Sequence, residues 1–364
     1  RPRTFFTGAA RPARGAEAPA GGRAAEEAAD PTVAEFASPE RQQLLDSLAE
    51  RWDETAGALS EGAYPDIARD PFFTTDTRGL LRKYLVAARF DLQEALARLR
   101  ATADWRREWD VLSYYAPGEA RRLFGEDSNP GAEMYFADAL ASDRAGRPYV
   151  AGRLRLANSE NMHPWRHLRA GVMVFEMMAI KVLATGRGPA SYILDLGGVG
   201  AVAGTVSGTG GLDRGYDEGR NPYYQAGAGS GDAPSERLLE ELGSLDNGFA
   251  TLKAAMKIMG QHYPGMIGQI YYLNSDMVFW GAFKIFSRWV ADRGSVNFEF
   301  LGESAWRDKP MSRLLDQFPP EQLFKEWGGA GPALDTDAFL ARAIERYEAE
   351  ARGLRPEVPH RRPD

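Results

Sequence analysis

From Gly146 to Leu301 the chain switches repeatedly between two hydrophobic periods, and that alternation constrains its fold more than any other feature. PYVAGRLRL alternates from Val150 to Leu156 behind the turn residues Arg147 and Pro148, the pattern of a half-buried strand. Leu168 to Leu183 follows as an apolar helix, Ser191 to Leu196 as a strand, and Leu245 to His262 as a helix with Leu252, Met256 and Met259 on one face. Ile270 to Leu273 reads as a short strand, Asp276 to Val290 as a helix and Asn297 to Leu301 as a last strand. Strands separated by helices call for an α/β layer with a mostly parallel sheet.

Upstream the periods are helical. Ser38-Pro39-Glu40 supplies an N-cap and a first-turn proline, and Leu44, Leu45, Leu48 and Trp52 give the helix behind it an apolar face. Leu80, Leu81, Tyr84, Leu85 and Ala88 repeat at helical spacing. Asp91 and Glu94 have the form of a capping box ahead of Leu92, Ala95, Leu96, Leu99 and Ala103, with Trp105 and Trp109 extending the same helix. Residues 1–36, rich in Ala, Gly, Pro and Arg, read as a tail that cannot offset its ordering entropy alone. The glycine- and acid-rich stretch 204–243 has no hydrophobic period and reads as an inserted surface loop. Four parts result: the tail 1–36, a helical module 38–112, an α/β domain 113–331 carrying the insertion, and a C-terminal helix and tail 332–364.

Composition then removes whole classes of function. A formal net charge of -7 argues against general nucleic-acid binding, which needs a basic surface. The absence of cysteine excludes disulfides, thiolate nucleophiles and cysteine-ligated metals. The apolar run from Ala170 to Gly186 is broken by Glu176 and Lys181 and falls short of the roughly 20 residues that a bilayer-spanning helix needs. Arg1, Arg3, Arg11, Arg14 and Arg23 against the single acid Glu17 match the remnant of a mitochondrial or plastid transit peptide, and match equally an unstructured tail with no address.

Two motifs suggest chemistry and fail on context. Gly198-x-Gly200-x-x-Ala203 fits a dinucleotide-binding turn, but it runs into further glycines instead of a helix, and Asp213 and Asp217 follow no second strand. His163 and His167 stand four apart with Pro164 between them and no glutamate or cysteine to complete a zinc site. With no nucleophile elbow, Walker loop or convincing carboxylate pair, the chain reads as a non-enzyme with no cofactor and no metal. What remains is SDMVFWGAFKIFSRWVADRG, where Val278, Phe279, Ala282, Phe283, Phe286 and Val290 form an apolar stripe. The stripe fits a core helix; Trp280 and Trp289, partly off it, also fit a lipid interface.

The order of segments resembles the CRAL-TRIO lipid-binding family. LLRKYLVAARFD and the helix ending in Trp105-Arg106 are similar to that family's N-terminal module. GRPYVAGRLRL, SYILDLGG, HYPGMIGQIYYLNSDMVF and VNFEFLG follow its landmarks in order, and FPPEQLFKEWGG resembles its closing motif, so that the likeness runs from Thr77 to Gly331. The resemblance implies a sheet that floors a hydrophobic pocket, with Tyr192 and Leu194 pointing into it, Arg89 near it, and Phe279, Ala282, Phe283 and Phe286 on a mobile gate. Members that bind inositol lipids carry a glutamate where this chain has Gly265, a lysine where it has Asn297 and a threonine where it has Gly294; Ala88 replaces one of their basic residues, and Ala190 and Tyr192 replace the hydroxyls that suit choline lipids. The implied function is to hold a lipid or another lipophile and to transfer or present it as a peripheral protein at a membrane surface. The rival reading is a structural subunit that contacts protein partners through 1–36 and 204–243.

Overall fold

A computed structural model describes residues 30, 32–124, 141–153, 164–196, 237, 248–275, 283, 296–302, 310–331, 344–345, 347–349 and 351–353. The N-terminal helices are α1 (Pro39–Glu61), α2 (Thr77–Ala87) and α3 (Leu92–Trp109), which pack on one another. Their starts follow the local chemistry. The Ser38 hydroxyl accepts from the Arg41 amide at 3.3 Å, and Asp91 Oδ1 accepts from the amides of Gln93 and Glu94 at 2.9 Å. Only half of the expected capping box forms, because Glu94 turns outward to pair with Arg98 at 2.7 Å. Helix α3 ends at Asp110, whose backbone is left-handed at φ 55°. Leu80, Leu81, Tyr84, Leu85, Ala95 and Leu99, all named from helical spacing, are buried. Each contributes about 1.5–3 kcal/mol by leaving water, less for the alanine.

The expected mostly parallel sheet has five strands in the order β1 (Ala141–Ser142), β2 (Pro148–Arg153), β3 (Ala190–Asp195), β4 (Ile267–Leu273) and β5 (Asn297–Leu301). β1 pairs antiparallel with β2, and the remaining neighbours are parallel. Helix α4 (Pro164–Thr185) links β2 to β3, and α5 (Gly248–His262) lies between β3 and β4 in the chain. Parallel crossovers of this kind are right-handed, and since the strands advance in one direction across the sheet, both helices belong on the same side. Every residue of α4 from Leu168 to Ile180 is buried, as a helix held between two layers must be.

β4 begins at Ile267 instead of Ile270. Gly268 interrupts the apolar period there, yet it is required: a Cβ on it would lie 2.1 Å from Pro189 Cγ in the neighbouring strand's approach. The other side of the sheet is covered by 310–331. Phe318 packs on Tyr149 and Tyr271 at 4.8 and 5.7 Å between ring centres, and Tyr149 donates to the Gln322 carbonyl. Trp327 Nε1 donates to Asp195 Oδ2 at 2.8 Å. The expected helix 276–290 lies outside the described residues apart from Phe283, which is helical; the glycine run from Gly198 to Gly204, most of the insertion and residues 1–29 of the expected tail 1–36 lie outside them too, whereas the described end of that tail is packed, with Thr32–Glu35 helical and Asp30 and Phe36 buried.

Candidate functional site

Register decides what the sheet shows to each side. Residues paired across parallel strands share a face, so Val150, Tyr192, Ile270 and Phe298 form one row, and Gly152, Leu194, Tyr272 and Phe300 the next. Among the described strand residues, no charged side chain stands on this face. The opposite face holds Asp195, Gln269 and Glu299 alongside Tyr149, Ile193, Tyr271, Leu273 and Leu301. The helical residue Phe283 lies on the uncharged face, with its ring centre 5.0 Å from Tyr272, 4.9 Å from Phe298 and 5.2 Å from Phe300. Tyr272 in turn stacks near-parallel on Phe300 at 5.3 Å. Four aromatic rings thus meet over β4 and β5, within the range of centroid separations at which such pairs attract.

Of the residues expected in a pocket, Tyr192 and Leu194 are buried on this face and Phe283 caps it. Phe279, Ala282 and Phe286 lie outside the described residues. Arg89 is exposed in the turn between α2 and α3, at φ 53°, and belongs to the helical module, not to the sheet face. The rings of Tyr272, Phe298 and Phe300 were not singled out by sequence; the alternation of β4 and β5 flagged them as strand residues, but only the pairing register puts them under Phe283. His163 lies outside the described residues, as does the side chain of His167; among the described residues no group of three or more His, Asp or Glu is placed to hold a metal.

A second constellation joins the helical module to the α/β domain. Arg106, on α3, is fully buried between two carboxylates. Its Nε and Nη2 reach Asp70 Oδ2 and Oδ1 at 2.6 Å, and its Nη1 and Nη2 reach Glu176 Oε2 and Oε1 at 2.7 Å. Tyr64 donates to Asp70 at 2.8 Å, Tyr263 to Glu176 at 2.9 Å, and Tyr115 to Glu176 as well. Burial first, and then the adjacent carboxylates, push these three phenols up, so they remain proton donors. Burial alone would lower the Arg106 pKa, but Asp70 and Glu176 outweigh it and hold the guanidinium firmly charged. Glu176 interrupting an apolar helix was the one sequence signal of this network, since a charge in a buried helix needs a partner; Arg106, next to the exposed Arg107, gave none.

Two further buried groups cross the same boundary. His262, at the end of α5, stacks on Trp105 at 4.2 Å and 7°, and its Nδ1 lies 3.2 Å from Thr102 Oγ1. Burial, reinforced by Arg106 and Lys257, lowers its pKa to about 3, so the ring is neutral. Lys83 is paired with Asp30 and donates to the Gly265 carbonyl at 3.1 Å. Gly265, which stands where inositol-lipid binders carry glutamate, has φ +66°, a conformation that favours glycine over any L side chain.

Residues 240–329 match the family model described as the CRAL/TRIO domain. Among solved structures, the crystal structure of Sfh5 is similar at 13% identity and a TM-score of 0.45, covering 84% of this chain and 98% of that one. No curated protein gives a significant match. The matched stretch contains α5, β4, Phe283, β5 and the closing FPPEQLFKEWGG, the same landmarks from which the resemblance was read. Within residues 240–329 the chain is similar to the CRAL/TRIO domain.

Proposed function

We propose that this protein is a non-catalytic carrier that encloses one lipid or other lipophilic molecule between the uncharged face of its sheet and the segment bearing Phe283, and hands it on at a membrane surface. The observation that carries the reading is the cluster of Tyr272, Phe283, Phe298 and Phe300 over a sheet face that has no charge. Moving a lipid through water exposes apolar chain at about 0.8 kcal/mol per CH₂. An interior face lined by rings removes that cost, and a covering segment that opens only at a bilayer confines exchange to membranes. The chemistry is physical transfer, with no bond made or broken, no cofactor and no metal.

Full-length protein purified from cells and extracted for mass spectrometry is expected to release about one lipophile per chain, and to move that molecule between donor and acceptor vesicles. Protein that carries no lipophile and takes none from vesicles would overturn the reading.

A further inference from the structure

Away from the Phe283 face, four arginines from three segments gather around one tight turn. Residues 143–147 join β1 to β2, and Asp143 holds the turn in shape. Its Oδ1 accepts from the amides of Ala145 and Arg147 at 2.9 Å, and its Oδ2 from Arg147 Nε at 2.7 Å. The turn rests on the segment that covers the other side of the sheet: the Arg144 amide donates to the Gln317 carbonyl at 2.9 Å, and Arg144 Nε to the Leu315 carbonyl at 3.1 Å. On that same segment Arg313 Nη1 pairs with Asp316 at 2.7 Å. Arg187, from the turn between α4 and β3, lies against Gly146, where a Cβ would stand 2.0 Å from Arg187 Nη1. Gly146 also has φ +77°, so the turn needs glycine both for its backbone and for the guanidinium lying on it.

The way these arginines are held leaves their outer ends open. Arg144 and Arg147 are tied down through Nε alone and Arg313 through Nη1 alone, while the Arg187 guanidinium has no hydrogen-bond partner among the described residues. Asp143 and Asp316 are already paired with Arg147 and Arg313, so the exposed Arg144 and Arg187 carry uncompensated charge. A guanidinium fixed at one nitrogen is a pre-organised donor, and its planar fork matches a carboxylate through two parallel hydrogen bonds. The chain as a whole carries a formal net charge of -7, so an acidic molecule is repelled from most of its surface.

Position selects the partner. The turn lies at the start of β2, whereas Phe283 covers β4 and β5 on the opposite face from Phe318. A molecule bound at the turn leaves the Phe283 face uncovered. No exposed large apolar side chain belongs to these three segments, and a bilayer-docking surface adds buried apolar area to its basic charge. We propose that Arg144, Arg147, Arg187 and Arg313 form a docking surface for an acidic segment of a partner protein, whose carboxylates they bind as forks. This surface is independent of any lipophile held beneath Phe283.

Labelled polyglutamate and polyglutamine peptides of about twelve residues, titrated with full-length protein at about 50 mM salt and followed by fluorescence anisotropy, test this. Wild type is expected to bind the glutamate peptide alone, and more weakly as salt is raised. Arg144→Gln with Arg187→Gln should weaken that binding about tenfold, the factor two exposed carboxylate pairs supply. Arg187→Gln alone breaks no side-chain hydrogen bond among the described residues and should weaken it about threefold at an unchanged melting temperature. Arg51→Gln with Arg69→Gln, which removes two exposed arginines of the helical module, should change nothing. No binding of polyglutamate, equal binding of both peptides, no loss in Arg187→Gln, or an equal loss in the Arg51 and Arg69 variant would overturn the docking surface. So would phosphatidylcholine vesicles with about 30% phosphatidylserine that bind wild type and release the variant at Arg144 and Arg187, since the arginines would then serve a bilayer.

Discussion

Replacing Arg106 with methionine tests what the buried network does. Methionine keeps an unbranched stem in the space beside Phe72, whose ring centre lies 4.5 Å from the guanidinium carbon, and removes the charge. Asp70 and Glu176, both at 0% exposure, would then face each other with no cation between them. Breaking a buried ion pair from one side costs roughly 3–5 kcal/mol because the abandoned charge stays buried. Here one guanidinium serves two carboxylates through four contacts of 2.6–2.7 Å, so we expect about 5 kcal/mol, a large part of a domain's total stability. The triple variant Asp70→Asn, Arg106→Met, Glu176→Gln leaves no stranded charge; Tyr64 keeps an amide oxygen to donate to, and of Tyr115 and Tyr263, which reach different oxygens of Glu176, one donates to the new amide oxygen while the other accepts from the amide N–H, so it should recover most of the loss. Urea unfolding, followed by far-UV circular dichroism and by the fluorescence of the buried Trp105 and Trp109, reads both effects. If Arg106→Met lost less than about 1 kcal/mol, or the triple variant were no better than the single one, the carboxylates would not be held dry by Arg106 and the account of the module boundary would fail.

Two other outcomes follow from the same boundary. His262 is neutral in the fold, with a pKa near 3 against 6.5 for a free histidine, so the unfolded chain binds the extra proton; its contribution is intact above about pH 6.5 and is lost as pH falls towards 3. Over that window His262→Phe, which keeps a ring against Trp105, should flatten the fall of unfolding free energy by about 1.4 kcal/mol per pH unit, and an unchanged slope in urea titrations would mean that the imidazole is already protonated or solvated. Asp30→Ala strands the buried Lys83 ammonium and releases the carboxylate that caps Thr32 at 2.9 Å. It should cost roughly 3 kcal/mol and hasten proteolysis within 30–37, while Asp30→Ala with Lys83→Met restores stability; wild-type proteolysis in the single variant would show that this pair does not hold the segment down.

The parts legible in the sequence were those written in local period. A parallel strand buried on both faces appears as a short apolar run, which is why β3 lies within a residue of its expected position and why the expected β4 starts after the glycine that Pro189 demands; the edge strand β5 coincides with its expected span. Tyr192, Leu194 and Phe283 could be named from strand alternation and from likeness to a family. The Arg106 network could not, because its members lie 36 and 70 residues apart and nothing local to Arg106 distinguishes a guanidinium bound for the interior from one bound for water.

The same limit applies to the site itself, where pairing carries more than composition. β5 reads Asn-Phe-Glu-Phe-Leu, and its two phenylalanines reach the face beneath Phe283 only because Ile270 pairs with Phe298 and Tyr272 with Phe300. Slide β5 by a single residue against β4 and the alternation inverts: Asn297, Glu299 and Leu301 come up beneath Phe283, and both rings turn towards the covering C-terminal segment. A carboxylate would then stand beneath Phe283, and a cationic partner would be needed to hold it. Composition, helix periods and the order of landmarks would all be unchanged by that slip. The uncharged face of the sheet is therefore a property of one register, fixed by the hydrogen bonds between β4 and β5 and by the rings of Tyr272, Phe283, Phe298 and Phe300 that only this register brings together.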